Sequence, residues 1–469
     1  MSSDVTSRFV GGLAAAICGV YALIVVGATE SLTGAAAACP TWPSCNGAWL
    51  QASSANLSIV WAHRVATVVV GLVVLAVVAW AWLRDEPRRV RFALLTTVAL
   101  YAVEVGIGAV VATSQSTVQA WNALALVHLV VGLGVFTCLV VALAWTLEAR
   151  TADLPSKEWE GESRESGDDG GPSPSDGPLG VARTYMSLTK PRLMWLLCLV
   201  ASAGMALAAG SEPAGSDGLT VSTVVFTLLG GVLSIGASGT FNHVFEREVD
   251  KKMNRTADRP LASQEIPKRN ALAFGVALAA LSVVAFLQVG VLAAALGVVA
   301  IVFYSVVYTL VLKPNTVQNT VIGGAAGALP ALIGWAAVTH TIGLPGLALA
   351  GVIFLWTPAH FYNLALAYKD DYAAGGFPMM PVVRGGVETR KHIVLWLGAT
   401  LAGSAVLGWL ADLGVLYALG TAALGAVFLY AVVRLHAERD RSAAMRAFHA
   451  SNAFLGVLLI AVVLDSLLV

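Results

Sequence analysis

Long apolar runs separated by short polar breaks fill most of the chain. They span 9–29, 59–83, 92–112 and 123–147, then 192–210, 220–241, 271–289, 291–312, 319–338, 346–366, 393–410, 414–433 and 448–468. A helix of roughly 20 apolar residues crosses a bilayer core of about 30 Å. The pattern therefore predicts an all-α polytopic membrane protein of thirteen spans: a four-helix N-terminal bundle (1–149) and a nine-helix bundle (183–469). Residues 150–182 break the rhythm. The stretch from Glu160 to Asp176 is acidic, rich in Gly, Ser and Pro, and nearly devoid of large apolar side chains. Such a segment buries too little to offset its ordering entropy, and a disordered acidic linker is expected there.

Composition agrees: 57% of the 469 residues are hydrophobic and only 12% charged, more apolar sequence than a soluble core needs. The net charge of zero says nothing about nucleic acid, and none is expected as a partner. The distribution of charge says more. With a cytoplasmic N-terminus, every one of the 28 Lys and Arg residues except Arg64 falls in or beside loops on one side. That is the positive-inside pattern of a multi-pass cell-membrane protein embedded in its lipid bilayer. It puts the loops after runs 220–241 and 346–366 in the cytoplasm. The first run is a full span without a cleavage site, so no cleavable signal peptide is expected. Cys39 and Cys45 fall together on the outer side, where a disulfide persists, with two free thiols as the alternative.

The chemistry centres on Asn242-His-Val-Phe-Glu246-Arg-Glu-Val-Asp250-Lys251-Lys252-Met253-Asn-Arg255-Thr256-Ala-Asp-Arg259. If the preceding helix continues, Asn242, Glu246 and Asp250 lie four residues apart on one face. Three oxygen donors at a helix end suit Mg²⁺, which takes one or two carboxylates together with substrate phosphates. Lys251, Arg255 and Arg259 would meet the rest of a diphosphate. A solvated, salt-bridged helix end is the plainer alternative.

This Asn-x3-Glu-x3-Asp pattern, followed by Met-x-Arg-Thr-x-x-Arg-Pro-Leu, resembles the first acidic motif of the UbiA family of intramembrane prenyltransferases, with Glu246 where Asp is usual. Thr189-Lys190-Pro191-Arg192, the segment from Tyr308 through Lys313 to Asn319, and Gly327-Ala-Leu-Pro330 ahead of Gly334-Trp335 narrow the resemblance to the haem O synthases. So does a second acidic site, Tyr368-Lys369-Asp370-Asp371-Tyr372, which follows His360. The resemblance implies a UbiA-type bundle that transfers a farnesyl group, Mg²⁺-dependently, from farnesyl diphosphate to haem B, giving haem O. It makes Asn242, Glu246, Asp250, Asp370 and Asp371 catalytic candidates, with Asn242, Glu246, Asp250 and Asp371 on the metal. Lys190, Arg192, Lys251, Arg255, Arg259, Lys313 and Lys369 are candidates for diphosphate, and His360 for haem. Adjacent helical residues diverge by about 100°, which leaves open whether Asp370 or Asp371 binds metal. A UbiA enzyme prenylating a quinone precursor or lipid, and a non-catalytic haem-binding membrane protein, are the alternatives.

In the N-terminal module His63 and His128 sit in the second and fourth runs, and an imidazole inside a membrane span is functional by default. Axial haem ligation and an interhelical hydrogen bond are both open. Gly27-Ala-Thr-Glu-Ser-Leu-Thr-Gly34, the Cys39-Pro-Thr-Trp-Pro-Ser-Cys45 loop and Trp61-Ala-His63-Arg64 resemble one half of haem A synthase. The resemblance implies a bis-His haem on His63 and His128. Val60 stands where that family has Glu, so a haem-holding or haem-passing module is expected. It also suggests haem A synthase or terminal oxidase assembly as partners, and completion by homo-oligomerisation.

Overall fold

Among the described residues of the computed structural model, thirteen helices are long and apolar enough to cross a membrane, and each coincides with one expected run. The structure describes residues 7–33, 39, 41–45, 55–113, 118–152, 154, 177–211 and 219–468. Most of the expected linker, 150–182, lies outside them. Every regular element among the described residues is helical. In chain order these are α1 (Arg8–Thr33), α2 (Ala55–Leu83), α3 (Arg88–Thr113), α4 (Val118–Thr151), α5 (Pro178–Leu188), α6 (Pro191–Ser211), α7 (Val221–Asp250), α8 (Lys268–Leu287) and α9 (Val291–Val302). A π-helical stretch, Phe303–Leu312, leads into α10 (Lys313–Asn315), α11 (Asn319–Thr339) and α12 (Leu344–Ala367). Then follow α13 (Lys369–Ala374), α14 (Met380–Val383), α15 (Gly385–Leu410), α16 (Val415–Glu438) and α17 (Arg441–Leu468).

The chain divides into two compact units. One comprises Met1–Pro155, Arg390–Arg439 and His449–Leu458. In it α1 packs on α2, α4 and α16, and α3 packs along α4. Leu13 and Ile17 of α1 and Phe136, Leu139, Leu143 and Leu147 of α4 are fully buried. Its polar end is tied by ion pairs: Glu148 lies 2.8 Å from both Arg89 and Lys391, and Arg150 lies 2.6 Å from Glu86.

The other unit comprises Ser156–Thr389, Asp440–Phe448 and Leu459–Val469. Lipid tails are as apolar as the side chains, so helices here gain most from close backbone approach at small residues. Helices α6 and α11 meet in that way. A Cβ on Gly204 would fall 2.3 Å from the Ala331 carbonyl oxygen, and one on Gly334 would fall 2.1 Å from that of Ala201. Helix α7 carries the same device. A Cβ on Gly239 would lie 2.8 Å from the carbonyl oxygen of Leu188, so the corner between α5 and α6 rests directly on α7. That corner carries Lys190.

Candidate functional site

Helix α7 runs beyond its apolar stretch to Asp250, and the one-face condition for Asn242, Glu246 and Asp250 is met. All three are buried, 3%, 5% and 1% exposed. The helix stops just past Asp250, where Thr256 donates its hydroxyl to the Asp250 carbonyl at 3.0 Å. The following segment then folds back, held by Leu261 and Ile266 against Leu188, Val244 and Ala271. That return brings Arg259 to Asp250, its Nη1 donating to both carboxylate oxygens at 3.0 and 2.9 Å.

The other cations come from distant segments. Lys313 Nζ lies 2.5 Å from Glu246 Oε1 and 4.3 Å from the centre of the Phe377 ring. Lys190 Nζ donates to the Asn242 side-chain oxygen and, at 3.2 Å, to the Tyr304 hydroxyl. The Asn242 amide donates onward to Thr309 Oγ1 at 3.3 Å. Lys190 itself adopts a left-handed backbone (φ 54°) immediately before Pro191. Such a conformation costs a lysine on the order of 1–3 kcal/mol and persists where surroundings over-determine it. Burial lowers the Lys190 ammonium to about 8; Arg259 adds to the push, while Glu246 and Asp250 oppose it. Three cations, Lys190, Arg259 and Lys313, thus face two carboxylates, Glu246 and Asp250. The cluster carries surplus positive charge in a largely water-excluded place, which suits a multiply charged anion.

The second acidic site joins the segment that follows α7. Asp371 accepts from the backbone N–H of Asn254 at 3.2 Å and of Arg255 at 3.4 Å, whereas Asp370 is exposed. Arg255 donates to the Tyr372 hydroxyl at 3.3 Å, and its guanidinium lies 4.8 Å from the Tyr368 ring centre. Arg441 covers Tyr368 as well, at 4.9 Å. Lys369 is half-buried. Lys251 and Arg192 are exposed, Lys251 pairing with Glu248 at 2.9 Å. His360 is buried with Trp356 and Phe448 stacked on it, each 4.2 Å from its ring centre. Sequence reasoning missed Thr309, Arg441 and the hydrogen bond of Tyr304 with Lys190. Thr309 and Tyr304 lie in the π-helical stretch, where Thr309 donates to the carbonyl five residues back, Tyr304, at 2.8 Å. Single π turns are frequent at functional sites.

Among the described residues no three His, Cys, Asp or Glu side chains form a metal cluster. The donors at the end of α7 are two carboxylates and an amide oxygen, all hard. That set fits Mg²⁺ completed by water and substrate phosphate, and does not fit a metal needing an all-protein cage.

In the first unit a cavity of about 610 Å³ is lined by His63, His128, Arg64, Trp61, Tyr101 and Glu104 among mainly apolar neighbours. Gly27 abuts the His63 ring and Gly108 the His128 ring; an added Cβ would come within 3.3 and 3.2 Å of their Cε1 atoms. Cys39 and Cys45 form a disulfide. Arg64 donates to the carbonyls of Pro43 at 3.1 Å and Cys39 at 3.4 Å, holding that loop over the cavity.

A membrane-embedded helical bundle with paired acidic sites among cations defines a class, intramembrane prenyltransferases, and the comparisons agree. Residues 196–458 match the UbiA prenyltransferase family, to which this chain belongs. Residues 50–165 match a family described as cytochrome oxidase assembly protein. The particular kinship is to proteins named protoheme IX farnesyltransferase. The one from Halobacterium salinarum strain R1 is 61% identical over 100% of both chains. That of Haloarcula marismortui is 58% identical over 98% of each. A solved digeranylgeranylglyceryl phosphate synthase shares the fold, with TM-score 0.51 and 17% identity, over 61% of this chain and 99% of its own. The chain is a multi-pass membrane prenyltransferase.

Proposed function

We propose that this chain moves a farnesyl group from farnesyl diphosphate to a vinyl group of haem B, forming haem O and releasing diphosphate. The observation that carries the reading is the gathering of Lys190, Arg259 and Lys313 around the buried Asn242, Glu246 and Asp250. The full-length likeness to proteins named protoheme IX farnesyltransferase supports the acceptor.

Diphosphate oxygens draw Lys190, Lys313 and Arg259 off their present partners and hold the leaving group. Glu246 and Asp250, with Asn242 beside them, would hold Mg²⁺, which would supply charge neutralisation to the diphosphate. Positive charge fixed in advance in a water-poor site stabilises that leaving group without reorganisation. The allylic C–O bond breaks with its electron pair going to diphosphate. The vinyl terminus of haem B supplies the pair for the new C–C bond, and water adds to the neighbouring carbon with loss of a proton. Tyr304 and Tyr308, with ring centres 5.6 Å apart beside Lys190, offer π faces to the allylic cation. Asp371 organises the Asn254–Arg255 turn that follows α7.

The N-terminal half, in this reading, holds a haem between His63 and His128 and passes it on. The match to a cytochrome oxidase assembly family supports a place beside terminal oxidase assembly. The one-sided distribution of Lys and Arg supports a cytoplasmic N-terminus and transferase site. The test is to incubate the purified full chain with haem B, farnesyl diphosphate and Mg²⁺ and resolve products by mass. A haem heavier by one farnesyl group and one hydroxyl is expected. Unchanged haem alongside a prenylated aromatic or lipid acceptor overturns the reading.

A further inference from the structure

The cavity of the first unit contains a carboxylate to which nothing above assigns a role. Glu104 projects from α3, and its Oε1 lies 3.0 Å from His128 Nδ1 on α4. The two helices interlock around this pair. One turn beyond His128, Gly132 leaves the space Glu104 occupies: a Cβ there would fall 2.8 Å from Glu104 Oε1. One turn beyond Glu104, Gly108 leaves the space under the His128 ring, 3.2 Å from its Cε1. Each side chain thus sits over a glycine of the opposite helix, a reciprocal fit with spacing i to i+4 on both. Among the described residues the other oxygen, Glu104 Oε2, is shielded from solvent with no hydrogen-bond partner, and so is His63 Nδ1. The Glu104–His128 contact, though 3.0 Å long, falls outside hydrogen-bond geometry and leaves His128 Nδ1 unsatisfied; a turn about the broad terminal torsion of histidine brings the two groups into line.

We infer that Glu104 is a positioning residue for a metal-binding histidine: it takes the Nδ1 proton of His128 as a hydrogen bond and turns Nε2 toward the cavity as the donor atom. This rests on the reading of His63 and His128 as haem ligands. A carboxylate on the far nitrogen fixes the tautomer, orients the ring and makes it a stronger donor. Among the described residues the two ligands are then unequal: a carboxylate lies beside His128 and none beside His63. That asymmetry lets the weaker His63 bond release while His128 retains the haem, as a module that hands haem onward requires.

The test uses the full chain loaded with haem, comparing wild type with Glu104→Gln, Glu104→Ala and Gly132→Ala. Readouts are haem dissociation constant, low-spin absorption and EPR signature, and midpoint potential. Glu104→Ala is expected to weaken haem binding by about 10- to 100-fold, the range for such supporting partners. Glu104→Gln, which keeps the shape and loses the charge, is expected to stay low-spin with a raised potential. Gly132→Ala, which crowds the carboxylate, is expected to follow Glu104→Ala. A wild-type chain with a two-histidine spectrum that none of the three changes alters overturns this inference alone. Absence of that spectrum in wild type, or its indifference to His63→Ala and His128→Ala, overturns the haem reading and this inference with it.

Discussion

Glu246 and Asp250 each hold a cation that substrate must claim, so their removal has two effects. A ligand for Mg²⁺ disappears, and a buried lysine or arginine loses its counter-charge. Glu246→Ala or Asp250→Ala is expected to lower farnesyl transfer at least 100-fold, about 2.7 kcal/mol in barrier. Neither change reaches the first unit, and the haem spectrum attributed to His63 and His128 should be unaltered. Retained transfer in Asp250→Ala would sink the metal–diphosphate site. Asp370 and Asp371 separate at the same scale. Only Asp371 accepts the Asn254 and Arg255 N–H groups. Asp371→Asn should therefore lose roughly tenfold more activity than Asp370→Asn in parallel assays, in line with a charge-assisted bond of about 1.5–3 kcal/mol. The Asn-x3-Glu-x3-Asp spacing was readable residue by residue, because helical geometry relates positions four apart without help from the rest of the fold. The partners were not. Lys190 and Lys313 reach Asn242 and Glu246 across 52 and 67 residues, and no local rule specifies such pairs.

At the scale of elements, the spans were legible because about twenty apolar residues leave a helix no alternative in hydrocarbon. The π-helical stretch Phe303–Leu312 was not, since a shift of the hydrogen bond from four residues back to five leaves no mark on hydropathy. It nonetheless sets the relative rotation of Tyr304 and Lys313. Deleting Val306 would remove the residue that the wider turn accommodates and shift Tyr304 relative to Lys313. Circular dichroism should then report unchanged helix content while farnesyl transfer falls at least tenfold. Full activity in that variant would show the π turn to be incidental. The α5–α6 corner was likewise unexpected: Gly239 admits the Leu188 carbonyl, and the backbone approach delivers Lys190.

For the whole molecule, the proposed orientation makes a labelling prediction. Thr341 and Lys252 are both exposed, in loops assigned to opposite faces. In a background lacking Cys18, Cys138 and Cys198, Thr341→Cys should react with a membrane-impermeant thiol reagent added to intact cells, and Lys252→Cys only after lysis. The reverse pattern would invert the topology and put the diphosphate site outside. Both charge distribution and span count enter this prediction, and a single missed span would have mixed basic and uncharged loops on each side.

Taken alone, the order of residues determined thirteen candidate spans, the pattern of basic loops between them and the helix face bearing Asn242, Glu246 and Asp250. Each follows from short-range physics: the length of an apolar run, the cost of moving charge through lipid, and the pitch of a helix. The folded chain decided which cations meet those oxygens, that Asp371 and not Asp370 turns toward the segment after α7, and that Glu104 lies against His128. These depend on contacts between residues far apart in sequence, made possible where glycine lets one backbone come close to another.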